Sequence, residues 1–267
     1  MSKLHKLLEE EKYLIMGILN FTPDSFSDGG DFFGKEAALE QVRKMVEEGA
    51  HIIDIGCEST RPGATVVEEA DEIARVKAVL PAVREAFPDV LISIDTYKAK
   101  VGEVALELGA DILNDVKGAK GNGMADLAAE KNVPIIVMHN GPTEEGNEIE
   151  RLLSDLKESV EICKVAGVPN ENIITDPGIG FGKTAEENII LTKHLERMKE
   201  LGCTVLYAAS RKRTTDFILG GDTNPKDRDV VSATLSLDAI RKGARIVRMH
   251  NVKVMKEMIA THKYLEN

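Results

Sequence analysis

The sequence contains no tryptophan, and aromatic residues make up only 4% of its 267 residues. Positive charge is also scarce, because 34 Lys and Arg residues stand against 45 Asp and Glu, giving a net charge of -11. A chain with this charge is a poor electrostatic match to nucleic acid or to an anionic membrane surface. It also offers few rings on which bases could stack. The composition therefore predicts that neither nucleic acid nor a membrane is a partner.

Cysteine and long apolar runs are the next deficits. Cys57, Cys163 and Cys203 are odd in number, widely spaced and form no CxxC, so neither a disulfide framework nor a zinc site is predicted. No stretch approaches the ~20 apolar residues of a membrane span. The first residues, MSKLHKLLEEEK, also lack the apolar centre of a signal peptide. We therefore expect a protein of the reducing cytoplasm.

Short β-rich runs alternate along the chain with longer amphipathic segments, which predicts βαβ units and a parallel sheet. Eight strands are predicted, at 13–20, 51–56, 90–95, 111–114, 134–139, 173–176, 204–209 and 245–249. No linker or change in composition divides the chain. The pattern predicts an α/β protein with a single-domain (β/α)₈ TIM barrel over residues 1–267, whose first residues form a helix covering the barrel bottom.

A glycine recurs at three of the joints between a helix and the next strand, in EEGAHIIDIG, ELGADILNDV and RKGARIVRMH. Gly49, Gly109 and Gly243 stand where a helix needs a left-handed residue just past its end. We interpret this repeat as structural and not catalytic.

Each predicted strand leads into a polar or charged residue, at the end of the barrel where active sites of this fold collect. These positions carry Asn20, the segment CESTR at 57–61, Asp95, Asn114 with Asp115, His139 with Asn140, Asp176, the segment SRK at 210–212, and Arg248 with His250. Any one of them could cap a helix or form a loop salt bridge. Together they predict one polar site at the barrel mouth.

The acidic and amide side chains of this set share one chemistry. Asp95, Asn114 and Asp176 end buried strands, where a carboxylate is costly unless it accepts hydrogen bonds. They could bind a pair of N–H donors such as the edge of a pterin or guanine. The alternative for Asp176 is that it caps the turn at Pro177.

The cationic side chains form a second group. Arg61, Arg248 and His250 would suit a phosphate or pyrophosphate, or they could instead pair with acidic residues on neighbouring loops. The stretch DPGIGFGKT is not a nucleotide P-loop, because Pro177 stands where that motif needs glycine. We interpret it as a glycine-rich loop in which Phe181 either covers an aromatic substrate or packs in the core.

Seven motifs occur in an order and spacing that resemble one family. NFTPDSFSDGG, ESTRPGA, IDT, LND, DPGIGFGK, SRK and VRMH resemble dihydropteroate synthases, and the resemblance extends from about residue 13 to about residue 259. It implies an enzyme that joins 6-hydroxymethyl-7,8-dihydropterin pyrophosphate to 4-aminobenzoate, giving dihydropteroate and pyrophosphate. It also implies Mg²⁺ as cofactor, sulfonamides as inhibitors and a homodimer.

The same resemblance implies roles for individual residues. The pterin would contact Asp95, Asn114, Asp176 and Lys212, and the pyrophosphate would contact Asn20, Arg61, Arg248 and His250. The aminobenzoate would lie near Thr60, Pro62, Phe181 and Arg213. The catalytic residues would be Asp28, Asp95, Lys212 and Arg248. Asn20 would also ligate Mg²⁺, and NFTPDSFSDGG would be a mobile lid that carries Asp28.

Two other functions share part of this pattern. A methyltetrahydropterin methyltransferase would use the pterin pocket without a pyrophosphate site, and a non-catalytic pterin-binding barrel would be expected to lose Asp28, Arg61 or Lys212. The chain departs from the family pattern at Cys57, at Asn251 and in the stretch after His139. We expect these changes to affect the aminobenzoate pocket and not the reaction.

Overall fold

The computed structural model describes residues 2–22, 30–59 and 66–266. Eight parallel strands close into a barrel in chain order, as the sequence predicted. The strands are β1 Leu14–Asn20, β2 Ile52–Gly56, β3 Leu91–Asp95, β4 Ile112–Asp115, β5 Ile135–Met138, β6 Ile173–Asp176, β7 Thr204–Tyr207 and β8 Ile246–Met249. Each strand begins and ends within two residues of its predicted bounds. The fold is therefore a single-domain α/β barrel of the TIM type.

Helices follow the strands and surround the barrel. They are α1 Lys3–Glu10, α2 Gly30–Glu47, α3 Glu69–Ala86, α4 Ala99–Glu107, α5 Met124–Lys131, α6 Glu148–Ala166, α7 Ala185–Lys193, α8 Arg213–Ile218, α9 Asp229–Arg241 and α10 Val252–Glu266. None of the helices formed by residues 2–22, 30–59 and 66–266 combines the length and apolar character needed to cross a membrane.

Side chains alternate along each strand, so one set points into the barrel and the other packs under the helices. The lower interior is filled by one apolar cluster: Leu14, Met16, Ile52, Leu91, Ile112, Ile136, Ile174, Leu206, Ala208 and Ile246. Leu4 of α1 joins this cluster and is 2% exposed, so α1 covers the barrel bottom as predicted. Arg245 fastens this region, because its Nε donates to the carbonyl oxygen of Lys12 at 2.7 Å.

The three repeated glycines end helices in the manner that the sequence indicated. Gly49, Gly109 and Gly243 have φ values of +100°, +105° and +115°. At the end of α2, for example, Gly49 N donates to Val46 O and Ala50 N donates to Met45 O, the paired bonds of a Schellman motif. Each helix therefore turns directly into the next strand.

Strand pairing decides which polar side chains meet above the apolar interior. The register places Asn20 beside Gly56, Gly56 beside Asp95, and Asp95 beside Asn114. These residues belong to four neighbouring strands and lie in one row at the carboxyl end of the barrel. One step deeper, Asp54 stands beside Ser93. The barrel mouth is thus polar while the interior below it is apolar.

Candidate active site

Arg248, on β8, is held by two carboxylates at the barrel mouth. Its Nε lies 2.6 Å from Oδ2 of Asp54, and its Nη2 lies 3.0 Å from Oδ2 of Asp95. Asn114 donates from Nδ2 to both oxygens of Asp54, at 3.3 and 3.2 Å. This network joins β2, β3, β4 and β8 and forms the floor of the polar site.

Asp95, Asn114 and Arg248 meet at the barrel mouth, where the sequence predicts them, whereas Asp54 was not among the predicted residues. Asp54 is completely buried and lies in the middle of the apolar strand IIDIG rather than at its end. A charged residue in an otherwise apolar strand was the available signal, since a buried carboxylate needs partners.

Burial shifts the ionisation of the site residues in the directions that desolvation predicts. Burial and the nearby carboxylate of Asp54 raise the pKa of Asp95 to about 7, although Arg248 acts in the opposite sense. Burial likewise raises the pKa of Asp176 and lowers the pKa of Lys212 to about 8. Asp95 Oδ1 is buried with no hydrogen-bond partner among the described residues. Such an atom is a candidate acceptor for a donor on a ligand.

Asp176, Phe181 and Lys212 form the adjoining wall. Asp176 Oδ1 accepts from Gly178 N at 2.7 Å, so the turn-capping alternative holds for this oxygen. Lys212 Nζ donates to the carbonyl oxygen of Ile179 at 2.6 Å and lies 4.7 Å from the centre of the Phe181 ring. The ammonium has three donors, so this one bond leaves it able to donate to a ligand as well.

The loop between β6 and α7 is fixed by a second lysine. Lys183 Nζ donates to the carbonyl oxygens of His139, Gly178 and Phe181 at 3.3, 3.0 and 2.9 Å. Gly178 has a φ of +65°, and a Cβ atom there would lie 1.9 Å from the carbonyl oxygen of His139. Only glycine therefore allows the loop to approach the end of β5 this closely.

Asn20 and His250 lie at the ends of β1 and β8. Gly56 separates Asn20 from Asp95, and a Cβ atom at Gly56 would be 3.8 Å from both Asn20 Oδ1 and Asp95 Oδ2. His250 is oriented by Ser210, whose Oγ lies 2.9 Å from Nδ1 of the ring and accepts from the backbone N of His250 at 3.1 Å. Both predicted residues therefore stand at the barrel mouth.

Two strand ends bind their own surroundings instead of the polar site. Asp115 accepts from Lys117 N, Ala119 N and Asn122 Nδ2, and so fixes the loop after β4. His139 Nε2 lies 3.1 Å from Asp155 Oδ2 on α6. Burial lowers the pKa of His139 to about 4, so its ring is neutral at neutral pH. The expectation that each strand end serves one site is too broad here.

Glu58, at the end of β2, belongs to a supporting ion-pair network. Lys98 Nζ donates to Glu58 at 2.5 Å and to Glu72 at 2.6 Å, and it also donates to the carbonyl oxygen of Val67 at 2.6 Å. Glu58 in turn accepts from Val67 N at 3.3 Å. The network ties the chain just before and just after residues 60–65 to α3 and α4.

Several predicted residues cannot be placed in this geometry. Asp28, Thr60, Arg61 and Pro62 lie outside the described residues, as does most of NFTPDSFSDGG. Arg213 is exposed at the start of α8. In the described part of the chain, no three His, Cys, Asp or Glu side chains are grouped to hold a metal ion.

The chain is similar to known proteins over most of its length. The family described as pterin binding enzyme matches residues 16–250. The chain is 48% identical over 260 residues to the dihydropteroate synthase of Streptococcus pyogenes serotype M3, covering 97% of each chain. It is also 48% identical over 260 residues to that of Bacillus subtilis, covering 96% of this chain and 90% of the relative.

Solved structures give the same result. The Xanthomonas albilineans dihydropteroate synthase with 4-aminobenzoic acid superposes with a TM-score of 0.90 at 36% identity, covering 95% of this chain and 93% of that one. A complex of dihydropteroate synthase from the same organism with 7,8-dihydropteroate superposes with a TM-score of 0.88 at 33% identity, with 95% and 94% covered.

The close approach of Gly178 to β5 can be tested by a glycine-to-alanine pair. Gly178→Ala places an alanine in the left-handed region and also creates a clash with a carbonyl oxygen. Gly121→Ala also places an alanine in the left-handed region, since Gly121 has a φ of +68°, but it creates no clash because nothing lies within 4 Å of the Cβ position. We expect Gly121→Ala to lower the free energy of unfolding by about 1–2 kcal/mol. Gly178→Ala should lower it by at least about 2 kcal/mol more. Chemical denaturation measures both, and equal losses would show that the clash is relieved without cost.

Proposed function

We propose how the residues of the site carry out the reaction, given that the chain belongs to the pterin binding enzymes and is a dihydropteroate synthase of folate biosynthesis. Its reaction joins 6-hydroxymethyl-7,8-dihydropterin pyrophosphate to 4-aminobenzoate, with release of pyrophosphate.

The pterin binds, in this proposal, to the polar floor and its adjoining wall. The contacts are Asp95, Asn114, Asp176 and Lys212. Asp95 Oδ1 carries the assignment, because it is a buried acceptor without a partner in the described residues and a pterin presents two neighbouring N–H donors. Lys212 then donates to an acceptor on the far side of the ring.

The pyrophosphate binds to Asn20, Arg61, Arg248 and His250. Arg248 already uses Nε and Nη2 on Asp54 and Asp95, so Nη1 is the nitrogen that we assign to a phosphate oxygen. His250 is oriented toward this role by Ser210. Arg61 lies outside the described residues, and its role is proposed from the motif alone.

The aminobenzoate, and sulfonamides in its place, contact Phe181 and Arg213 in this proposal, together with Thr60 and Pro62, whose roles are proposed from the motif alone. Phe181 supports this assignment because its ring stands beside Lys212 at the edge of the pterin wall. Asp28 completes the catalytic set in this proposal. A homodimer is the proposed assembly.

The donor set at the mouth fits Mg²⁺ carried in with the substrate. Mg²⁺ usually keeps several waters and is held by one or two protein oxygens together with substrate phosphates. Asn20 Oδ1 at the end of β1 can supply one such oxygen, and the described residues contain no three-residue acidic or histidine cluster that would make a separate cage. When bound, Mg²⁺ would neutralise charge on the departing pyrophosphate.

Bond breaking precedes bond making in the mechanism that we propose. An aryl amine is a weak nucleophile, so the residues assist mainly by stabilising the cationic pterin methylene and the leaving pyrophosphate. Asp95 and Asp176 face the cation, and Arg248 and His250 face the anion. No protein nucleophile is needed, and burial raises the pKa of the Cys57 and Cys163 thiols to about 12.

A coupled assay of pyrophosphate release tests the reaction. With both substrates and Mg²⁺, we expect equal amounts of pyrophosphate and dihydropteroate, and we expect EDTA to abolish turnover because the leaving charge is no longer neutralised. Restoring Mg²⁺ should restore the rate. Enzyme that is folded but forms no dihydropteroate under these conditions would contradict the proposed function.

Asp176→Asn tests the pterin pocket. It replaces a pure acceptor by a mixed donor and acceptor, so the affinity for a pterin should fall by roughly 1.5–3 kcal/mol. Asp155→Asn is the matched control, because Asp155 pairs with His139 and Arg151 on the outer side of β5 and should leave pterin affinity unchanged. Calorimetric titration measures both, and equal affinities for the two variants would contradict the assignment.

The raised pKa of Asp95 predicts that pterin binding depends on pH. Above a pKa of about 7 the carboxyl is ionised and accepts freely from N–H donors, whereas below it the proton removes an acceptor. Affinity for a pterin without pyrophosphate should therefore fall on the order of tenfold between pH 7.5 and 5.5. Asp95→Asn should bind weakly with no such slope. A wild-type affinity that does not change over this range would contradict the role of Asp95.

A further inference from the structure

Asp54 is a buried carboxylate to which the mechanism above assigns no contact with a substrate. It is completely buried, and it bonds to two residues of the proposed pterin and pyrophosphate sites, Asn114 and Arg248. A buried pair of this kind contributes little net stability compared with an apolar replacement. Because Arg248 also pairs with Asp95, the need to pair this cation does not by itself account for a second carboxylate, whereas an effect of Asp54 on its two partners does.

The chemistry of a carboxylate fixes the orientation of the Asn114 amide. An ionised carboxylate only accepts hydrogen bonds, so Asn114 must turn its Nδ2 toward Asp54 and its Oδ1 away. The distances of 3.3 and 3.2 Å from Nδ2 to the two Asp54 oxygens agree with this orientation. No donor in the described ranges hydrogen-bonds to Asn114 Oδ1, and because Nδ2 is turned toward Asp54, this oxygen lies on the other side of the amide.

The orientation of Asn114 matters because of its neighbours in the row. Asp95, beside Asn114 in the strand register, also presents an acceptor without a partner in the part of the chain that the structure describes. With Asn114 in this orientation, the mouth shows two adjacent acceptors. The opposite orientation would place a donor beside an acceptor and so fit a different ligand edge.

We propose that Asp54 is a positioning residue that determines the specificity of the pterin site. It holds the Asn114 amide so that Oδ1 faces the ligand, and it holds Nε of Arg248 so that Nη2 reaches Asp95. This inference rests on the proposed pterin site. It adds that Asp54, which does not touch the ligand, determines whether the site binds a ligand edge that carries donors or one that carries acceptors.

Replacement of Asp54 by asparagine gives a definite expectation. The oxygen of the introduced amide would accept from Arg248 Nε, which places its NH₂ group where Oδ1 now lies, 3.3 Å from Asn114 Nδ2. Two donors then face each other, so rotation of Asn114, which presents Nδ2 to the mouth, is favoured over the present orientation. We expect Asp54→Asn to weaken binding of a pterin without pyrophosphate by roughly tenfold or more. The KM for 4-aminobenzoate, measured at saturating pterin substrate, should stay within about twofold of wild type, because that site lies on other loops.

Ser93→Ala is the matched control. Ser93 pairs with Asp54 in the strand register, is equally buried, and its Oγ has no partner among the described residues. Its removal alters the same layer of the barrel without changing the orientation of Asn114. We expect pterin affinity and both KM values to match those of the wild type.

The double variant Asp54→Asn with Asn114→Asp tests whether a loss of pterin affinity comes from the changed orientation of Asn114 or from the loss of charge or stability. In this double variant, the amide at position 54 accepts from Arg248 and donates to the carboxylate at position 114, whose second oxygen again offers an acceptor to the ligand. We expect it to recover most of the pterin affinity lost in the single variant. Thermal unfolding of each variant is measured first. If Asp54→Asn alone does not fold, the pterin affinity of the double variant still tests the positioning role.

The outcomes separate this inference from the proposed function. Wild-type enzyme that binds no pterin and forms no dihydropteroate overturns the proposed function. Wild-type enzyme that binds pterin while folded Asp54→Asn binds it equally well overturns the positioning role. A folded double variant that recovers no affinity also overturns it, because Asp54 would then act through charge or stability alone.

Discussion

The buried guanidinium of Arg248 is the constraint on which the barrel mouth depends. A positive charge removed from water is costly unless it is paired and hydrogen-bonded, and here Asp54 and Asp95 supply the pairing. Two carboxylates so close to each other repel, which contributes to the raised pKa of Asp95. Asn114 offsets part of that repulsion by donating to Asp54. The hydrogen-bond partners of Asp54, Asp95 and Asn114 therefore depend on how this one buried cation is paired.

A second cation acts on the backbone rather than on side chains. Lys183 donates to three carbonyl oxygens, one just past the end of β5 and two in the glycine-rich loop between β6 and α7, and burial lowers its pKa to about 8. Gly178 allows the loop to approach the end of β5, and the loop then supplies the carbonyl of Ile179 that binds Lys212. Phe181 is positioned by the same loop. The wall of the site is thus held in place by main-chain carbonyl oxygens, whereas the floor is held in place by carboxylates.

The fold could be predicted because each strand is a short apolar run bounded by clear signals, such as the Schellman glycine Gly49. The site was predicted less completely, because the last residue of each strand was assigned to the site without asking which face of the strand its side chain is on. Side chains alternate between the two faces, so Asn114 faces the interior while Asp115 faces its loop. The same alternation turns His139 toward Asp155 on α6. It also places Asp54 inside the barrel, where the strand-end criterion could not find it. Residue types alone did not contain this information, but the period of two did.

The net charge of the described mouth depends on which charged side chains lie close together, and no sequence pattern provides those distances. Asp54, Asp95 and Asp176 stand against Lys212 and Arg248, so the five groups carry an excess of one negative charge when all are ionised. That excess suits a reaction in which positive charge develops on the pterin. Protonation of Asp95 would cancel it, and burial brings the pKa of this residue close to neutrality. Burial of Asp95 therefore affects two properties of the mouth together, because a proton on this carboxyl removes a hydrogen-bond acceptor and also removes the excess negative charge.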